Sequence, residues 1–235
     1  MNCWMMRLAA GTLALTGIGL VAIQSHPVKA AEKRKVIRLF NGKNFDGWYT
    51  YITGDGKNND PEGIFKIEEG GVIHALGKKF GYVGTEKEYE NYKLTLEFKW
   101  GEKKWPPHEN EPRDAGILYH CVGPDKVWMK SLECQIEEGD CGDMWLTGGE
   151  GGSPSLTVKG KKYTGGRVVK FEDYEKPKGE WNKVEVICKG DTIQHYINGK
   201  LNLEGSEASL TKGKINIQSE GAEIYYRNIT LEPLD

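Results

Sequence analysis

From Val36 onward, apolar and polar residues alternate in short runs, and clusters bearing Gly, Asn or Pro separate the runs. A period of two is the mark of a strand with one buried face. It predicts strands at Val36–Leu39, Phe65–Glu68, Val72–Ala75, Gly81–Thr85, Tyr92–Trp100, Ala115–Cys121, Leu132–Glu137, Lys183–Lys189, Thr192–Ile197, Leu201–Leu203, Lys214–Gln218 and Ile224–Leu231. Asn198-Gly199 has the chemistry of a two-residue hairpin turn, and Glu69-Gly70-Gly71 marks another. Almost no stretch carries a helical period. Short strands alternating with turn clusters favour an all-β sandwich or barrel. Gly101 to Arg113, with three prolines, and Asp143 to Gly166, rich in Gly, Ser and Thr, read as long surface loops; such loops on a rigid sheet commonly carry function. Trp48, Trp100 and Trp181 are expected in the core, and Trp105 and Trp145 on loops where they meet a ligand.

One run stands out. In Leu132–Glu137 the apolar Leu132, Cys134 and Ile136 point one way from a strand, and Glu133, Gln135 and Glu137 the other. Two carboxylates and an amide then share a sheet face. That is too polar for a core and more ordered than a loop requires, and it suits a concave sheet face that grips and cuts sugars.

The N-terminus changes the setting. Arg7, the apolar run Leu8 to Ile23, and Val28-Lys29-Ala30 before a cut after Ala30 have the layout of a secretory signal peptide. The apolar run is short for a bilayer-spanning helix of ~20 residues. Export to the periplasm or the exterior is expected, with Ala31–Asp235 as one domain and no stable membrane insertion after cleavage. Removing Arg7 and Lys29 leaves 30 basic against 34 acidic residues, a net charge of −4, which argues against a nucleic-acid partner. Cys121, Cys134, Cys141 and Cys188 follow the signal. Their spacing fits no zinc motif. They either form disulfides, with Cys121–Cys134 the first pair to consider, or are small buried hydrophobes.

Several segments together resemble the 3-keto-disaccharide hydrolase family. They are Leu39-Phe40-Asn41-Gly42-Lys43-Asn44-Phe45-Asp46-Gly47-Trp48, Asp114-Ala115-Gly116-Ile117, Glu133-Cys134-Gln135-Ile136, Gly139-Asp140-Cys141-Gly142-Asp143, Gly179-Glu180-Trp181-Asn182, Ile217–Ile224 and Arg227-Asn228-Ile229. The resemblance spans nearly all of Val36 to Leu234. Asp114 and Ala115 replace a typical Asn-Ser, and His120 stands where the family often has Arg. The resemblance implies a concanavalin-like jelly roll of two antiparallel sheets. It also implies a small carbohydrate substrate: a glycoside whose sugar is oxidised to a ketone at C3.

Such a ketone makes the C2 proton acidic. A base can remove it, the C1 group can leave, and water can add afterwards. The route needs a base and a donor near the ketone oxygen, and it requires no cofactor. Glu133 is the candidate base, the alternative being a solvated strand residue. His120, on a face with Gly116 and Leu118, is a candidate donor or base, and Lys130 a candidate oxyanion partner beside Trp128. Gln135, Asp114, Trp128, Trp145, Gln218 and Glu220 are candidates for binding the sugar. Asp140 and Asp143 are either structural calcium ligands or turn residues. Arg227 and Glu223 are expected to form an ion pair. Two other readings stand beside this one. One is a retaining glycosidase using Glu133 and Glu137, whose Cα atoms would lie ~13 Å apart along a strand. The other is a sugar-binding module without catalysis.

Overall fold

A computed structural model describes Met1 and residues 35–235 of the chain. Beyond Met1, the expected signal peptide lies outside the described residues. The strands, in chain order, are β1 (Ile37–Arg38), β2 (Trp48–Ile52), β3 (Gly56–Lys57), β4 (Phe65–Glu68), β5 (Val72–Ala75), β6 (Gly81–Thr85), β7 (Tyr92–Lys104), β8 (Asp114–Val122), β9 (Lys130–Glu137), β10 (Met144–Thr147), β11 (Ser155–Val158), β12 (Lys161–Thr164), β13 (Gly166–Val168), β14 (Asn182–Lys189), β15 (Thr192–Ile197), β16 (Lys200–Gly205), β17 (Lys214–Ser219) and β18 (Ala222–Pro233). No helix occurs among the described residues.

The strands build the two antiparallel sheets of a jelly roll. One runs β16-β15-β14-β7-β18-β5-β4, with β1 added on β18. The other runs β13-β10-β9-β8-β17-β6-β2-β3, and β11-β12 form a separate hairpin. The first sheet is half-buried, and its strands show it. On β7, Tyr92, Leu94, Leu96, Phe98 and Trp100 are buried, while Lys93, Thr95, Glu97 and Lys99 between them are partly exposed. On β18 a register shift between Arg227 and Thr230, with Asn228 at φ +54°, keeps Ile229 and Leu231 inward. Such a bulge adds one residue without losing the buried face. The hairpin β15–β16 turns at Asn198 (φ +52°) and Gly199 (φ +79°), where both central residues need the left-handed region.

The second sheet is buried on both faces. Ala115, Ile117, Tyr119, Leu132, Cys134, Ile136, Met144, Leu146, Ile215 and Ile217 face the first sheet and share its core. The opposite, concave face carries Glu133, Gln135, Asn216 and Gln218, all 6% exposed or less. Polar side chains are thus shielded without lying in the apolar core.

Several expectations change. Asp143–Gly166 is not one loop: it contains β10, β11 and β12, because Met144–Thr147 pairs with β9 and Ser155–Val158 with β12. β7 extends to Lys104, shortening the Pro-rich loop. Trp181 is only partly buried; it lies outside the core, with the Arg227 guanidinium 3.8 Å from its ring centre and Lys99 at 5.2 Å. Arg227 and Glu223 do not pair. Arg227 Nε donates to Glu97 at 2.6 Å, and Glu223 meets His74 at 3.0 Å. All four described cysteines are buried and free. Cys134 stands opposite Ile117, out of register with Cys121.

Candidate active site

A cleft of about 590 Å³ opens on the concave face. Strands β8, β9, β10 and β13 form its floor, and Asp114, Trp128, Glu133, Gln135, Glu137, Trp145, Thr147, Arg167 and Glu220 are among its lining residues. Antiparallel pairing sets one lateral row. Arg167 on β13 is opposite Trp145 on β10, and Trp145 is opposite Glu133 on β9. Trp145 therefore stands on a strand rather than a loop. Its buried indole Nε1 has no partner among the described residues, which leaves a donor to offer in the cleft.

Glu133 is placed by Gly116. A Cβ on Gly116 would lie 2.0 Å from Glu133 Oε1 and 2.2 Å from Gln218 Oε1, so the two side chains occupy the space that a larger residue on β8 would fill. Gln218 Oε1 is buried without a hydrogen-bond partner, and a neutral Glu133 carboxyl would supply one. Burial, together with the nearby charges of Glu220 and Asp114, pushes Glu133 well above the usual carboxylate range.

The other acids form a cross-strand group. Asp114 lies opposite Glu137 on β9 and bridges Glu220 through the backbone. Gln135 Nε2 donates to Asp114 Oδ1 at 2.8 Å and to Glu137 Oε2 at 3.2 Å, and Gln218 Nε2 donates to Glu220 Oε2 at 2.9 Å. Two amides thus hold three carboxyls in place. Burial, then the charges of Glu220 and Glu137, raises Asp114 to about 8. Burial also raises Glu220 to about 7, against the indole hydrogen bond from Trp128. Asp114 and Glu220, buried this close together, do not both ionise readily. Near neutral pH the cleft holds both proton acceptors and proton donors.

Two candidates fall outside this geometry. His120 sits at a register shift between β8 and β9 with φ +51°. The extra residue turns its ring into the core beside Tyr92 and Tyr119, where Nδ1 meets the Leu210 carbonyl at 3.0 Å. Burial lowers it to about 4, so it is neutral. Lys130 has the parity of Leu132 on β9, opposite to Glu133, and its Nζ donates to the Gly151 carbonyl at 3.3 Å. Trp105 is also absent from the cleft: its Nε1 donates to the Leu76 carbonyl at 2.8 Å. Asp140 and Asp143 both engage Arg167, and Asp143 accepts from the Lys170 amide as well. With a guanidinium already between them, this pair does not fit a calcium ion.

The groove stops at β2 and β6. Tyr49, Tyr82, Leu118, Cys121 and Met129 fill it there as a second apolar cluster. Asp125 ties residues 123–129 onto that cluster. It accepts from Tyr49 at 2.6 Å and Tyr82 at 2.9 Å, and pairs with Lys57 at 2.9 Å.

The model of the 3-keto-alpha-glucoside-1,2-lyase-like domain matches residues 35–232. The chain belongs to that family. It is similar to a curated Bacteroides thetaiotaomicron protein named 3-keto-disaccharide hydrolase, 22% identical over 85% of this chain and 78% of the relative. A solved structure from Parabacteroides distasonis, carrying a provisional glycosyl-hydrolase name, is 26% identical with a TM-score of 0.59. It covers 85% of this chain and 94% of its own. A Bacillus licheniformis β-glucanase shares the fold at 12% identity and a TM-score of 0.52, over 87% of this chain and 100% of its own.

In this family member, two cleft residues carry no strong signal in the sequence. Arg167 follows Gly165-Gly166 in a stretch that reads as loop, and only its pairing with Trp145 puts it in the cleft. Thr147, which hydrogen-bonds Glu133, ends a four-residue strand too short to show a period.

Proposed function

We propose that the cleft binds a small glycoside oxidised to a ketone at C3 and cleaves it by elimination followed by hydration. Glu133 takes the C2 proton. The C2–H electron pair forms a C2–C3 double bond, and the carbonyl pair moves onto O3. The enolate then expels the C1 oxygen, which takes a proton from the Asp114–Glu220 group, leaving a C1–C2 double bond. Water adds at C1 and a proton returns to C2, giving the free 3-keto sugar. Trp128 and the Trp145 indole, with Gln135, hold the ring. The observation that carries this reading is the meeting of Glu133 and Gln218 over Gly116 beside proton-bearing carboxyls, which supports a base acting next to acids in one shielded cleft.

A retaining mechanism through Glu133 and Glu137 draws less support, because Gln135 stands between them and binds Glu137. The N-terminal segment supports export, so the proposed place of action is the periplasm or the exterior. Incubating the protein with a 3-keto disaccharide, with and without chelator, is expected to release 3-keto-glucose in both cases. Glu133→Gln is expected to lower the rate at least 100-fold. Equal turnover of the unoxidised disaccharide would overturn the reading, as would full activity in Glu133→Gln.

A further inference from the structure

We propose that Arg167 is a catalytic residue that holds the O3 oxygen as it becomes an enolate. The inference rests on the function proposed above and supplies the donor that neither His120 nor Lys130 can provide from where they lie.

Position comes first. Paired residues on neighbouring antiparallel strands have Cα atoms ~4.5–5.5 Å apart. Arg167, Trp145 and Glu133 are successive partners across three strands, so Arg167 and Glu133 flank the indole with Cα atoms ~10 Å apart. A pyranose resting on Trp145 has a base at one edge and a guanidinium at the other. The proton to be removed and the oxygen that gains charge sit on adjacent carbons, so two long side chains can reach both. Among the described residues, Arg167 is the single cation that lines the cleft.

The guanidinium is also fixed in advance. Nε donates to Asp143 Oδ2, and Nη2 lies 2.7 Å from Asp140 Oδ1. Asp143 has no exposed side-chain surface, and its other oxygen accepts from the Lys170 amide at 2.9 Å. Among the described residues, Nη1 has no partner. A donor held this way stabilises developing charge with little reorganisation.

Charge balance selects the ligand. Two carboxylates against one guanidinium leave a net negative surround, and the Asp114–Glu220–Glu137 group lies in the same cleft. An anionic sugar such as a uronate is disfavoured. A neutral carbonyl is accepted, and its oxygen carries charge only once the C2 proton has left. Interactions made only in the transition state act on kcat rather than KM.

The test uses Arg167→Gln and Arg167→Lys on two readouts. One is cleavage of a 3-keto disaccharide. The other is exchange of the C2 hydrogen of 3-keto-glucose in D2O, which needs no leaving group. Arg167→Gln is expected to lower both kcat and the exchange rate about 100- to 1,000-fold, the range for loss of one oxyanion donor, with KM changed less than about fivefold. Arg167→Lys is expected to recover part of both. Because Arg167→Gln leaves the buried Asp143 carboxylate without its guanidinium, Arg167→Gln/Asp143→Asn is measured beside it to keep a folded comparison. Exchange and kcat within threefold of the unaltered protein in either Gln variant overturns the proposal, and so does a loss confined to KM. If the unaltered protein exchanges C2 and cleaves but Arg167→Gln does the same, only Arg167 is misassigned. If it does neither, both readings fall.

Discussion

Glu133 and Gln218 meet over Gly116, their Oε1 atoms 2.0 and 2.2 Å from the point where a Cβ would sit. Gly116→Ala must therefore displace the ends of both side chains. Those ends can move, so the fold should survive with a loss of ~1–3 kcal/mol, the range for a modest overpacking of a filled site. The carboxyl of Glu133 would leave its place, and turnover is expected to fall at least 100-fold. Thermal unfolding and steady-state kinetics on a 3-keto disaccharide measure the two effects separately. Unchanged turnover in a folded Gly116→Ala protein would remove Glu133 from the base position.

The pH dependence of turnover follows from the same burial. Burial raises Glu133 well above the usual carboxylate range, so its basic form grows as pH rises. Asp114, at about 8, and Glu220, at about 7, lose their protons towards alkaline pH. A bell-shaped kcat/KM profile is expected, at least tenfold lower at pH 4.5 than at its maximum. Glu220→Gln should move the alkaline limb. A flat profile from pH 4.5 to 9 would contradict the assignment of acid and base to these carboxyls.

Much of this architecture was legible because alternation reports a half-buried strand. Tyr92–Trp100, Lys183–Lys189 and Thr192–Ile197 lie within observed strands for that reason. The Glu133, Gln135 and Glu137 row was legible in the same way. The misses have a common cause, since parity counts one residue per step and sees no partner. At His120 the left-handed bulge inserts a residue and reverses the face, which sends the ring into the core. β10 and β13 are four and three residues long among glycines, and they are strands because β9 pairs β10 and β10 in turn pairs β13. Arg167 belongs to the cleft only through that pairing. Trp181 has an apolar body, yet Arg227 and Lys99 cover it on the outer face.

Stability should fall as pH rises from about 6.5 to about 8. The folded Asp114 carboxyl, raised from 3.8 to about 8, keeps a proton that the unfolded chain has lost. Its contribution is complete below 3.8 and is lost as pH rises through 8. His195, held neutral between Tyr119 and the Gly142 carbonyl, is lowered by burial from 6.5 to about 4. Its contribution is complete above 6.5 and lost as pH falls through 4. The two opposing trends overlap below 6.5, so only the acid slope remains above it, at most ~1.4 kcal/mol per pH unit for each group. Asp114→Asn keeps an acceptor for Gln135 and cannot ionise. It should flatten the decline in melting temperature between pH 6.5 and 8.5. An unaltered slope in that variant would mean that Asp114 is not the titrating group.

Asp125 offers a way to separate binding from chemistry. It accepts from the Tyr49 and Tyr82 hydroxyls and pairs with Lys57, all on the blocked side of the groove. The segment it ties down also carries Trp128, which lines the cleft, is 45% exposed, and packs edge-on against Phe80 at 5.7 Å. Asp125→Ala removes the acceptor of two tyrosine hydroxyls and a lysine, a change expected to lower stability by ~1–3 kcal/mol. The segment would loosen and Trp128 would lose the place over the sugar proposed for it, while Glu133, Gly116 and Arg167 on their paired strands stay where they are. KM should rise about five- to twentyfold and kcat should change less, because the lost sugar contact serves the ground state and the transition state alike and only the Trp128 hydrogen bond to Glu220 reaches the acid. Trp128→Ala should reproduce the kinetic change with a smaller loss of stability. A fall in kcat with KM unchanged would instead place the Asp125 segment in the chemical step, and the division between a binding wall and a reacting floor would have to be abandoned.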